Sequence, residues 1–248
     1  MVTTGTGLAA NLAALVGLLA ALTATGGLGA AAWAVGVACG LVVGAAVVRG
    51  LAWGRAEALG PADLVTLARL VLTCGLAALV AESFLREPAR PTVAVVLAGT
   101  ALLLDAVDGP VARRTRTTSV FGARFDGEAD AFLLLVLSAY VARSAGAWVL
   151  VIGALRYAFA VAGWALPWLQ EQLPHRYWRK VVTAIEGVVL TIAAADVVPQ
   201  TPTYVVLVVA LGLLVESFGR DVLWLWLHRF GDSVDVTGTP AAFRLRPP

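Results

Sequence analysis

Long apolar runs separated by short polar stretches set the pattern of this chain. Eight runs approach the roughly 20 residues that an α-helix needs to cross about 30 Å of hydrocarbon at 1.5 Å per residue. They lie near residues 7–25, 28–48, 64–84, 91–108, 126–142, 147–169, 180–199 and 203–226. The punctuation between them is that of turns: TGGLG between the first two, REPARP between the third and fourth, PQTP between the last two. The pattern predicts an all-α, polytopic helical bundle in a membrane. The last residues, including GDSVDVTGTPAAFRLRPP, break the pattern and are expected to form a polar, flexible tail.

Composition agrees with this picture. Hydrophobic residues make up 60% of the chain, charged residues 14%, and the mean hydropathy is +0.86, which excludes an ordinary soluble domain. The lipid bilayer is the expected partner, and no nucleic-acid partner is expected, because the net charge is only +2. No charged residue occurs from Met1 to Val48, so the first two runs read as retained spans rather than a cleaved leader. Cys39 and Cys74 both sit inside apolar runs and are expected to be packing residues. Gly36, Gly40 and Gly44 recur every four residues on the second run, a spacing that favours close helix packing.

The placement of the cations predicts orientation. With both termini in the cytoplasm, its loops hold Arg49, Arg55, Arg113, Arg114, Arg116, Arg124, Arg176, Arg179 and Lys180, against Arg86, Arg90 and Arg143 on the other side. A plasma-membrane protein with both termini inside is therefore expected.

The polar stretch DAVDGPVARRTRTTSVFGARFDGEAD, from Asp105 to Asp130, follows the apolar run VAVVLAGTALLL without a break. Asp105 and Asp108 are three residues apart with Ala112 four further on, and they share a face if the fourth helix continues past the membrane edge. Gly122, Asp126 and Asp130 recur every four residues at the start of the next helix. A short turn between the two helices would gather four carboxylates at one level. Such a cluster repels itself unless cations neutralise it, and an oxygen-only ligand set favours Mg²⁺, Mn²⁺ or Ca²⁺. Gly109 and Gly122 leave backbone open to a ligand, and Arg113 suits a phosphate oxygen. Any one aspartate is equally well explained by a solvated pair with Arg113, Arg114, Arg116 or Arg124. Four together, at helical spacing on consecutive spans, point to function.

These residues complete the pattern D-x2-D-G-x2-A-R-x8-G-x3-D-x3-D, and on it the chain resembles the CDP-alcohol phosphotransferases (CDP-alcohol phosphatidyltransferases). The likeness continues upstream, where PADLVTLARLVL from Pro61 is similar to the family's opening P-N-hydrophobic-hydrophobic-T-x-x-R, with Asp63 in place of Asn and with Thr66 and Arg69 kept. The resemblance implies a six-helix core over 61–228, two additional N-terminal helices over 1–60, and a tail over 229–248. It implies a membrane enzyme of phospholipid biosynthesis. A CDP-linked lipid donor, CDP-diacylglycerol in the first instance, would pass its phosphatidyl group to a hydroxyl acceptor with release of CMP. It further implies two divalent ions, Mg²⁺ before Mn²⁺, held by Asp105, Asp108, Asp126 and Asp130, with Asp130 as general base and Asp126 beside it. Asp105, Gly109, Ala112, Arg113, Gly122 and Thr66 would line the cytidine diphosphate pocket. Homodimers are common in the family.

The acceptor is left open. RKVVTAIE from Arg179 is similar to the G-K-x-K-T-x-x-Q of the family's phosphatidylglycerophosphate synthases, with Lys180 and Thr183 kept, Val182 in place of the second Lys and Glu186 in place of Gln. Arg179, Lys180 and Arg176 are candidate acceptor-binding cations, or simply a positive loop beside an anionic membrane. Arg156 and Glu186, each about mid-span on consecutive helices, are expected to form an ion pair first, and an acceptor-binding pair below the metal site as the alternative. His175, His228 and the run VLWLWLHRF from Val222 read as interface residues. Two other functions remain compatible with the carboxylates: a divalent-cation carrier and an inactive membrane scaffold.

Overall fold

The computed structural model describes residues 2–54, 58–86, 91–115, 120–170 and 177–228. The C-terminal segment expected to be flexible, together with Arg176 and His175, lies outside the described residues.

Among the described residues eight α-helices follow one another, as the hydropathy pattern predicts: α1 (Thr4–Gly26), α2 (Ala30–Gly54), α3 (Pro61–Leu85), α4 (Pro91–Thr115), α5 (Val120–Ala145), α6 (Leu150–Ala165), α7 (Tyr177–Ala195) and α8 (Gln200–His228). The protein is a polytopic helical membrane bundle. Among the described residues five helices, α1, α2, α3, α8 and the segment containing α6, are long and apolar enough to span a bilayer. The others, α4, α5 and α7, are the helices that carry Asp105, Asp126, Asp130, Lys180 and Glu186, and these charges lower their hydropathy. Large apolar side chains such as Leu41, Val42, Leu103, Val205, Val208 and Val209 face outward, as a lipid-facing surface requires.

Local chemistry fixes several ends. Gly60 precedes α3 with extended backbone, Pro61 occupies the first helical position, and the Asp63 carboxylate accepts the Gly60 N–H at 2.8 Å. The aspartate that departs from the family's Asn thus caps its own helix. The sixth helix ends at Ala165, short of the expected 169, because Pro167 disfavours helical backbone at Leu166, whose φ and ψ are −125° and 87°. Gly27 closes α1 with φ of 71°, a conformation that suits glycine, and donates its N–H to Thr23 O at 2.7 Å.

The third helix is the axis of the bundle. Of its apolar stretch 72% is buried, against 28% or less for the other spans, and it packs on α1, α2, α4 and α5. The N-terminal hairpin is fastened to it at both ends. At one end the Glu82 carboxylate accepts the Gly29 N–H at 2.7 Å. At the other, a two-residue antiparallel bridge pairs Val2 and Thr3 (β1, Val2–Thr3) with Leu59 and Ala58 (β2, Ala58–Leu59) just before α3. Between them, a side chain at Gly36 would collide with Leu19 and Ala78, and one at Gly40 with Leu15. The expected close packing therefore holds at Gly36 and Gly40, while Gly44 has no neighbour within 4 Å.

Candidate active site

The fourth helix runs on to Thr115, past the expected boundary at 108, and α5 begins at Val120 rather than 126. Both extensions keep the aspartates in helix, so the spacings of three and four residues fix their directions. Asp105 from α4 and Asp126 and Asp130 from α5 converge, each offering a carboxylate oxygen within 4.8 Å of the others. The side chains of Asp108, Gly109, Ala112 and Arg113 lie outside the described residues, although their backbone continues α4. Gly122 stands one turn before Asp126 on α5. Thr66 is buried on α3, its hydroxyl donating to Ala62 O at 3.2 Å, one turn before Arg69.

Arg69 is the residue that sequence reasoning did not place in the site. Its side chain, 2% exposed, reaches from α3 to all three carboxylates: Asp105 at 2.9 Å, Asp126 at 2.6 Å, and Asp130 in a still closer contact. A signal was present, since Arg69 is a lone cation inside the apolar span from Leu64 to Ala81, and an enclosed cation needs acidic partners. The carboxylates themselves are between 25% and 35% exposed, so the cluster is open on one side. Each meets Arg69 through Oδ1, and a carboxylate has lone pairs for several partners. An oxygen-only set of this compactness fits a hard divalent cation bound at about 2.0–2.6 Å.

The remaining cations are arranged differently from one another. Arg179 forms an ion pair with the buried Asp221 of α8 at 3.5 Å, which ties the start of α7 to α8. Lys180 is exposed and lies near enough to Asp105 to act on it electrostatically. The expected pair of Arg156 with Glu186 does not form. Arg156 reaches Glu128 on α5 at 2.6 Å, and Glu186 is fully enclosed. The reason is packing: α6 lies chiefly against α5, while α7 lies against α4, α5 and α8, so consecutive helices do not present these faces to each other. His228 stacks on Trp224 at the end of α8, with ring centroids 4.1 Å apart.

Residues 59–218 match the family described as CDP-alcohol phosphatidyltransferase. The chain belongs to the CDP-alcohol phosphatidyltransferase family. The match begins at the bridge before α3 and ends within α8, so it takes in Arg69 and every described aspartate of the cluster and leaves α1 and α2 outside. No curated protein and no solved structure matches the chain. Membership supports a role in phosphatidyl transfer from CDP-alcohols to hydroxyl acceptors at a membrane.

Proposed function

We propose that this protein transfers a phosphatidyl group from CDP-diacylglycerol to an acceptor alcohol and releases CMP on the cytoplasmic side of the plasma membrane. What supports the reading is the meeting of Asp105, Asp126 and Asp130 from α4 and α5, inside a family match that spans 59–218. The acceptor hydroxyl attacks the phosphorus that carries the lipid, the phosphorus–oxygen bond to CMP breaks, and the hydroxyl proton passes to Asp130. Asp105, Asp108, Asp126 and Asp130 are the residues that would hold two divalent ions, Mg²⁺ before Mn²⁺. Bound there, the metal supplies Lewis-acid polarisation of the diphosphate and offsets charge on the departing CMP.

The chain's own groups orient the rest. Arg69 holds the three carboxylates together, so that they are positioned before substrate arrives. Gly109, Ala112, Gly122 and Thr66 line the cytidine diphosphate seat, and Arg113 binds a phosphate oxygen. Lys180 faces the acceptor, and Arg179 and Arg176 are the other candidate acceptor-binding cations. The core over 61–228 carries the reaction, the helices over 1–60 brace it, and the residues over 229–248 are a polar tail.

The test is CMP release by the full-length protein in liposomes containing CDP-diacylglycerol and Mg²⁺, with inositol phosphate, glycerol 3-phosphate, serine or phosphatidylglycerol as acceptor. Acceptor-dependent release that Asp130→Asn lowers by about 100-fold or more is the expected result. Folded protein that binds no CDP-alcohol would overturn the reading and favour a divalent-cation carrier or an inactive scaffold.

A further inference from the structure

Glu186 on α7 is 0% exposed, and among the described residues neither of its carboxyl oxygens has a hydrogen-bond partner. Buried polar groups are nearly always paired, and ionisable residues inside membrane bundles mark function by default. Packing does not account for it, since an apolar side chain of similar volume would be the more stable choice.

Its position relates it to the aspartates. Val182, Glu186 and Leu190, one turn apart, form an enclosed stripe on α7. That helix packs against both α4 and α5, which carry Asp105, Asp126 and Asp130. A side chain at Gly187 would stand 2.8 Å from Leu102 Cδ2, so α7 and α4 touch at this level, and Leu102 is one turn from Asp105. Helical side chains lean toward the N-terminus of their helix, so Glu186 leans toward the Lys180 end of α7, where Lys180 acts on Asp105.

We infer that Glu186 recognises the acceptor alcohol. Its carboxyl accepts hydrogen bonds from hydroxyls of a polyhydroxylated acceptor held between α4, α5 and α7, with the reacting hydroxyl directed at Asp130. A carboxyl at this depth disfavours a second anion beside it, so a phosphate on the acceptor belongs at the Lys180 end. The neighbour across Gly187 is the far end of the Leu102 side chain, not backbone. This inference rests on the phosphatidyl-transfer reading above.

The experiment compares wild type with Glu186→Gln and Glu186→Ala in CDP-diacylglycerol liposomes. The acceptors are glycerol 3-phosphate, inositol 1-phosphate, glycerol and 3-hydroxypropyl phosphate, which lacks the middle hydroxyl of glycerol 3-phosphate. In parallel, tryptophan fluorescence follows binding of the same acceptors without donor. The expected result is a KM for polyol acceptors raised about tenfold or more in both variants. The KM for CDP-diacylglycerol and that for 3-hydroxypropyl phosphate would stay within about twofold of wild type by the same logic of a single lost contact. Equal losses with every acceptor, no loss at all, or a wild type that binds none of these polyols would overturn it. The two readings fail separately: polyol binding that depends on Glu186 without CMP release sinks the transfer reaction alone, and CMP release indifferent to Glu186 sinks this inference alone.

Discussion

The Arg69 guanidinium meets the Asp126 carboxylate at 2.6 Å between α3 and α5, and Phe125, the residue before Asp126, packs with residues of the N-terminal hairpin. One buried cation thus organises acids from two helices. Arg69→Leu would leave three carboxylates within 4.8 Å of one another without that cation. Breaking a buried ion pair costs on the order of 3 kcal/mol. The Tm of the purified variant should fall clearly, and Mg²⁺ should raise it more than it raises that of wild type. A Tm equal to wild type, with and without Mg²⁺, would show that Arg69 does not balance the cluster.

The hairpin's contribution can be isolated at Leu51. Val47 and Leu51 of α2 are buried against Leu67, with Leu64 and Phe125 packed on the same small cluster. Leu67 lies two residues from Arg69 and Phe125 one from Asp126. Leu51→Ala should cost about 2–5 kcal/mol through the cavity it leaves. It should also reduce CMP release in protein that is still folded, because it loosens the packing of Leu67 and Phe125, which sit on the same helices as Arg69 and Asp126. Leu19→Ala, in the main core, is the control of similar stability cost and little effect on turnover. Equal turnover in the two variants would remove the hairpin from any part in positioning the site.

Helix contacts explain why some of this was legible in the residues and some was not. The eight helices follow from hydropathy, and the spacings of three and four put Asp105 on one face of α4 and Asp126 and Asp130 on one face of α5, both of which are local properties, while α3, on which both helices pack, brings those faces together. The partner of Arg156 is not local. It depends on which face of α6 meets α5, and that is fixed by Gly153, where the α5 backbone comes so close that no side chain fits. The reach of Arg69 is likewise set by α3 lying at the centre of the bundle, a fact that no window of sequence contains. Depth alone, the basis for pairing Arg156 with Glu186, carries no information about which way a helix turns.

Gly153 and Gly44 should therefore respond oppositely to the same change. A Cβ at Gly153 would stand 2.8 Å from Leu135 N and 2.9 Å from Leu134 O, backbone atoms that cannot rotate away. Gly153→Ala should lower stability by about 1–3 kcal/mol as overpacking forces α6 off α5. At Gly44 nothing lies within 4 Å, and alanine there should be neutral or stabilise by up to about 1 kcal/mol through helix propensity. Thermal unfolding of the two variants decides the matter, and a fall at Gly44 equal to that at Gly153 would sink the packing account.

The pair of Arg156 with Glu128 gives the last test, because it replaces an expectation with a measurable alternative. The Arg156 side chain is 46% exposed and that of Glu128 is 60% exposed, so their 2.6 Å contact should contribute no more than about 1 kcal/mol. Arg156→Glu sets two acids against each other on α5 and α6, and Glu128→Arg sets two cations there. Each single variant should therefore be less stable than wild type, and the double exchange should recover most of the loss, since it restores opposite charges on the same two helices. Pairing Arg156→Glu with Glu186→Arg should give no recovery and a further loss, because the arginine would be buried in α7 without an acid facing it. Recovery in that second exchange, with none in the first, would return Glu186 to Arg156 and leave the acceptor site without its proposed carboxyl.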